Sequence, residues 1–125
     1  MLTVLPIQSK DIQRELCEKC CIDFIENAFA YRADDGDFIG ICQFYFKDDN
    51  GYIENLTYAP NVSDWEAMII MLRASMSFMY RCGIKIVYLN GMTDTELLSK
   101  SGFLKNENGE YYIDVQKFYG GSCCH

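Results

Sequence analysis

Hydrophobic and polar positions along this chain follow two periods, and the points where one gives way to the other mark the elements. Residues 2–7 (LTVLPI) read as a short strand. Ser9 is placed to cap a helix over 10–20, whose apolar face would be Ile12, Leu16, Cys20 and Cys17. Residues 22–29 (IDFIENAF) suit either a second short helix or a strand, with the helix favoured. Two hairpin signals follow. Strand 29–33 leads through Asp34-Asp35-Gly36-Asp37 into strand 38–47, and Asp48-Asp49-Asn50-Gly51 leads into strand 52–58. Gly and Asn tolerate the positive φ that tight turns need, so a three-stranded meander is expected.

Residues 64–82 form the strongest helical pattern. Glu66, Arg73, Ser77 and Arg81 fall on one narrow stripe and the remaining circumference is apolar. The helix must therefore be covered on most sides, with Gly83 as its left-handed terminator. Strand 84–89 (IKIVYL) has the composition of a buried central strand. Thr93-Asp94-Thr95-Glu96 has the capping-box form and opens a short helix ending near Gly102. A final hairpin joins 103–105 to 111–118 through 106–109. The order β, α(α), βββ, α, β, α, ββ predicts an α/β (α+β) fold. Its mixed, mainly antiparallel central sheet has about six to seven strands flanked by helices.

Composition narrows the function classes. The chain has 125 residues, the length of one domain over 1–125, with a tail at 119–125 expected to be mobile. Half of the residues are hydrophobic and 23% are charged, which excludes a disordered chain. No 18-residue uncharged apolar run is present, and the N-terminus lacks the pattern of a signal peptide, so a cytoplasmic protein with no membrane contact is expected. A net charge of −7 argues against nucleic acid as a partner, because that affinity comes from Lys and Arg neutralising phosphates.

Seven cysteines in such a setting are expected to be reduced. Cys42 and Cys82 read as small core residues. Cys17-x-x-Cys20 at one end, with Cys123, Cys124 and His125 at the other, offers metal-ligand chemistry. A single C-x-x-C without a matching pair is weak for zinc, so no metal is expected. The tyrosines and the methionines of 68–79 read chiefly as packing residues.

The element order and three local sequences together resemble the GNAT superfamily of acyl-CoA-dependent N-acetyltransferases. Phe38-Ile39-Gly40 is similar to its hydrophobic-Gly step after the first hairpin turn. Leu56-Thr57-Tyr58-Ala59-Pro60 before the long helix looks like its cofactor-binding segment, and Leu97 to Phe103 looks like its helix ending in Gly-Phe. The resemblance implies that main-chain groups of Leu56, Thr57 and Tyr58 pair with the pantetheine arm of acetyl-CoA, in a gap between strands 52–58 and 84–89. It implies a pyrophosphate on backbone amides where the long helix begins. It also implies an acidic base on the strand 52–58. Glu54 is the only carboxylate there, and alternation sets it with Tyr52 and Leu56.

The chain departs from the family pattern in two places. Residues 61–67 carry no glycine and no basic residue, and Ser63-x-x-Glu66 reads as a capping box that would occupy amides a phosphate needs. The position of the family's acidic tyrosine is Leu98. Two functions follow as expectations: acyl transfer from acyl-CoA to an unidentified primary amine on a small molecule or protein, or a binding module that keeps the fold without the phosphate loop. Weak acetyl-CoA binding and a monomeric or homodimeric state are expected with either.

Overall fold

The computed structural model describes residues 1–89 and 95–120. Its strands are β1 (Thr3–Pro6), β2 (Phe29–Asp35), β3 (Asp37–Lys47), β4 (Asn50–Tyr58), β5 (Ile86–Leu89), β6 (Leu104–Lys105) and β7 (Tyr111–Asp114). The helices are α1 (Lys10–Lys19), α2 (Trp65–Arg81) and α3 (Thr95–Lys100). The seven strands form one sheet in the order β1-β2-β3-β4-β5-β7-β6. Neighbours run antiparallel except β4 and β5, which are parallel and joined by α2. A parallel pair needs a crossover of this kind, since no tight turn can join two strands running the same way.

Alternation along β3 divides the core. Cys42 and Phe44 face α2, where the Cys42 Sγ lies 3.3 Å from Ser75 Oγ and the Phe44 ring 5.7 Å from Phe78. Ile41 and Gln43 face α1, Ile41 packing in the cluster of Leu16, Cys17 and Cys20 and Gln43 accepting from Gln13 Nε2 at 2.9 Å. The larger core lies under α2, where Met68, Met71, Leu72, Met76 and Met79 are buried, so its methionines fill the sheet-facing side. The helix ends as its sequence predicts. Gly83 takes φ +85°, and the N–H groups of Gly83 and Ile84 donate to the carbonyls of Tyr80 and Met79, each at 3.0 Å.

Several elements differ from the sequence expectation. Residues 22–28 form no helix. Their backbone is held by buried glutamine amides instead: the Ile25 N–H donates to Gln43 Oε1 (3.1 Å), Gln43 Nε2 to the Asp23 carbonyl (2.9 Å), and Gln13 Nε2 to the Ile25 carbonyl (3.3 Å). These bonds satisfy groups that a helix would otherwise pair internally. The α1 face that is buried contains Gln13, Leu16, Cys17 and Cys20, whereas Ile12 is exposed.

The second hairpin turns at Asp48-Asp49, with Lys47 opposite Asn50 and Asp48 at φ +59°, so Asn50-Gly51 lies inside β4. Gly51 is required there by packing, because a Cβ would meet the Met79 sulfur. The last strand stops at Asp114, and Gln116–Gly120 form a π-helical turn. Asp114 Oδ1 accepts from the Lys117 N–H at 3.0 Å, and Gln116 Nε2 reaches the Ile84 carbonyl at 2.9 Å. Tyr119, assigned above to the tail, packs tilted against Tyr80 at a centroid distance of 5.1 Å and donates to the Arg73 carbonyl. Residues 121–125, with Cys123, Cys124 and His125, lie outside the described residues, as do Thr93 and Asp94 of the expected capping box.

Candidate active site

The sequence places the expected site along β4, next to its parallel pairing with β5. Register runs from Asn50↔Ile86 to Ile53↔Leu89, the last described residue of β5. Beyond it β4 continues to Tyr58, still paired on its other edge, with Leu56 opposite Cys42, Thr57 opposite Ile41 and Tyr58 opposite Gly40. Among the described residues no strand is paired with the second edge of Leu56 and Thr57. Their main-chain groups on that side have the extended spacing that an amide-containing arm could match. Gly40 keeps this region close-packed, since a Cβ would collide with the Thr57 carbonyl and the Met68 methyl.

A β-bulge places Glu54. Gln43 pairs with Asn55 and Phe44 with Ile53, which leaves Glu54 as the extra residue on β4. A bulge sets two consecutive side chains on one face. Glu54 and Asn55 therefore both point to the α1 side: Glu54 Oε1 accepts from the Tyr45 hydroxyl at 3.0 Å, and Asn55 Oδ1 from Gln43 Nε2 at 2.6 Å. The expected grouping of Tyr52, Glu54 and Leu56 is corrected by this slip. Leu56 turns to the α2 side, where it packs on the larger core.

Tyr45 belongs to a row that crosses the sheet. It lies opposite Tyr52, Tyr52 opposite Tyr88, and Tyr88 opposite Tyr112. The rings of the first three stack at centroid distances of 5.4 Å. Burial raises the Tyr45 pKa, and its hydrogen bond to Glu54 adds to the rise. The phenol remains a proton donor, and the contact orients the Glu54 side chain beside the last described pair of β4 and β5, Ile53↔Leu89.

The start of α2 is the other half of the site. Its cap is Asp64, one residue beyond the expected Ser63: Asp64 Oδ1 accepts from the Ala67 N–H at 3.1 Å, with Asp64 in extended backbone. Glu66 follows in the first turn. A CoA pyrophosphate, which the resemblance seats here, would meet a carboxylate already on the amide and a second one beside it, so these residues do not fit that group. The cation this end does have comes from α3, where Lys100 Nζ lies 5.0 Å from the Trp65 ring centroid. Leu98, at the position of the family's tyrosine, is fully buried.

The four residues singled out from the sequence, Glu54, Leu56, Thr57 and Tyr58, all lie on β4. Sequence reasoning set the Asp64 and Glu66 charges at the start of α2 but gave the cap to Ser63 rather than Asp64. It did not single out Tyr45, Asn55 or Lys100: the first two depend on strand register and the third on how α3 packs against Trp65. Among the described residues no group of three or more His, Cys, Asp or Glu is placed to hold a metal. Cys17 and Cys20 are buried free thiols, and burial pushes the Cys17 pKa up to about 11.

No family model and no curated protein matches the sequence. Solved structures do match the fold. Spermidine N-acetyltransferase from Vibrio cholerae, solved in a dodecameric structure, has a TM-score of 0.72 at 12% identity over 97% of this chain and 98% of that one. The ribosomal-protein-S18-alanine N-acetyltransferase from Escherichia coli has a TM-score of 0.69 at 10% identity, covering 92% of this chain and 94% of that one. An acetyltransferase from Bacillus subtilis in complex with CoA has a TM-score of 0.70 at 15% identity, covering 91% and 99%. At these identities the likeness is one of architecture, and across nearly the whole chain that architecture is the fold of the GNAT acetyltransferases.

Proposed function

We propose that this protein transfers an acyl group from acyl-CoA to a primary amine by direct attack. The observation that carries the reading is the bulge that sets Glu54, oriented by Tyr45, on β4 next to its last described pair with β5. In this reaction the neutral amine attacks the thioester carbonyl carbon. A C–N bond forms, the C–S bond breaks, Glu54 takes the amine proton directly or through water, and that proton is returned through water to the departing sulfur, so CoA leaves as the thiol. Main-chain groups of Leu56, Thr57 and Tyr58 hold the pantetheine arm, and an N–H of that edge polarises the carbonyl. The net charge of −7 steers cationic amines toward the protein, on a small molecule or a protein chain. A cytoplasmic monomer or homodimer suits this role.

The Asp64 cap favours a second reading, a binding module that has kept the fold and lost the phosphate site. Both readings predict weak acetyl-CoA binding, with a Kd on the order of 100 μM or weaker, about −5.5 kcal/mol. Calorimetric titration with acetyl-CoA, followed by thiol-release assays against spermidine, small primary amines and N-terminal peptides, separates them. Amine-dependent release of CoA supports transfer; binding or its absence, without release against any amine, supports the module. A low-micromolar Kd would show that groups other than the α2 N-terminus hold the phosphates.

A further inference from the structure

At the end of the sheet away from Gly40 and Tyr58, a second cavity of about 370 Å³ opens between the β1–α1 connection and the start of β2. It lies near Phe78, ten residues along α2 from Met68, or about 15 Å at 1.5 Å per residue. Four of its nine lining residues are aromatic. Phe29, Tyr31, Phe44 and Phe78 line it, with Ile7 closing one side. Phe29 stacks on Phe44 at 5.8 Å and tilts against Phe78 at 5.1 Å, while Tyr31 stacks on Phe44 at 6.1 Å. Phe44 is fully buried, but Phe29 keeps 46% of its surface exposed at the mouth.

A single charge lines this cavity, Lys10. Its ammonium donates to the Ala28 carbonyl and to Gln13 Oε1. Two of its three donors are thereby held, and no carboxylate pairs with it among the described residues. In a chain of net charge −7, a fixed lysine without a carboxylate partner, at the rim of an aromatic box, is complementary to one kind of small molecule. We infer that this cavity binds an aromatic carboxylate, with the ring against the exposed face of Phe29 and the carboxylate on Lys10. The volume falls in the usual range for small-molecule sites. Ring contacts at these spacings favour a flat aromatic guest over a branched aliphatic one, and a charge-assisted hydrogen bond to the ammonium selects the acid over its neutral analogues. The site is separate from the β4 edge and does not depend on acyl transfer.

The test uses 2-naphthylacetate and its primary amide, titrated into the full chain and followed by the methyl NMR signals of Ile7 and Met68. The acid is expected to shift Ile7 and leave Met68 in place, and to bind at least about tenfold more tightly than the amide. Lys10→Met should bring the acid down to the affinity of the amide. Phe29→Ser, at a half-exposed position, should weaken acid and amide together in a chain whose circular dichroism matches that of the unaltered protein. Equal binding of the two by the unaltered protein would overturn the inference, as would shifts confined to Met68 or no saturable shift at all.

Discussion

Glu54→Gln removes the charge at the bulge while keeping the shape and the Tyr45 hydrogen bond. If Glu54 takes the amine proton, turnover should fall by roughly 10²-fold or more, with the melting temperature nearly unchanged. Tyr45→Phe, which frees the carboxylate from its orienting donor, should lower turnover by less and raise the KM for the amine. Steady-state kinetics on both variants, with unfolding followed by circular dichroism, check the pair; full activity in Glu54→Gln would remove it from the mechanism. Glu54 is legible from sequence because no other carboxylate lies on 52–58. Its neighbours are not. Simple alternation puts Leu56 beside it and Asn55 behind the sheet, and one inserted residue reverses both assignments. Gly51 misleads in the opposite way, since Asn50-Gly51 has the composition of a turn but the glycine serves the approach of Met79.

The cap of α2 carries the prediction at the level of the element. Asp64→Asn retains a good capping side chain and deletes a charge, so stability should hold while acetyl-CoA affinity rises about two- to fivefold, the equivalent of 0.3–1 kcal/mol at a helix terminus. Asp64→Ala should instead cost about 1 kcal/mol of stability. Ser63→Ala should leave both unchanged, because the Ala67 N–H is held by Asp64. Chemical denaturation and calorimetry distinguish the three; a stability loss in Ser63→Ala larger than in Asp64→Ala would restore Ser63 as the cap. Ser63 and Asp64 are equally suited by type, and only the backbone decides between them. The loop 22–28 was illegible for a related reason. Its apolar residues suit a helix, but its hydrogen bonds go to Gln13 and Gln43, which are distant or polar enough to escape a search for core positions.

For the molecule as a whole, buried thiols set an upper limit of pH. Burial pushes Cys42 up to about 12 and Cys17 up to about 11, from an ordinary 9.0. The unfolded chain ionises these thiols near 9 and the folded one does not, so their contribution is complete below that pH and is lost as pH rises from 9 toward 12. Burial raises Tyr45 and Tyr119 as well, in the same sense. Thermal melts should be flat, as far as these groups are concerned, from pH 7 to about 9 and then fall, and Cys42→Ala should make the fall shallower. A melting temperature unchanged between pH 9 and 11 would contradict this. Fold class and strand count were legible at this scale, because hairpin turns and helix caps punctuate the chain. The order of β6 and β7 follows only from long-range pairing. The parallel seam between β4 and β5 has a kinetic side as well. The three strands before α2 can zip through neighbouring hairpins, whereas β5 can join them only after α2 has folded back and its closure entropy has been met. The junction of β4 and β5 beside Glu54 therefore forms only after the meander, and β7 and β6 can add only once it has formed. Local opening that releases β5 would undo that junction while leaving the meander intact.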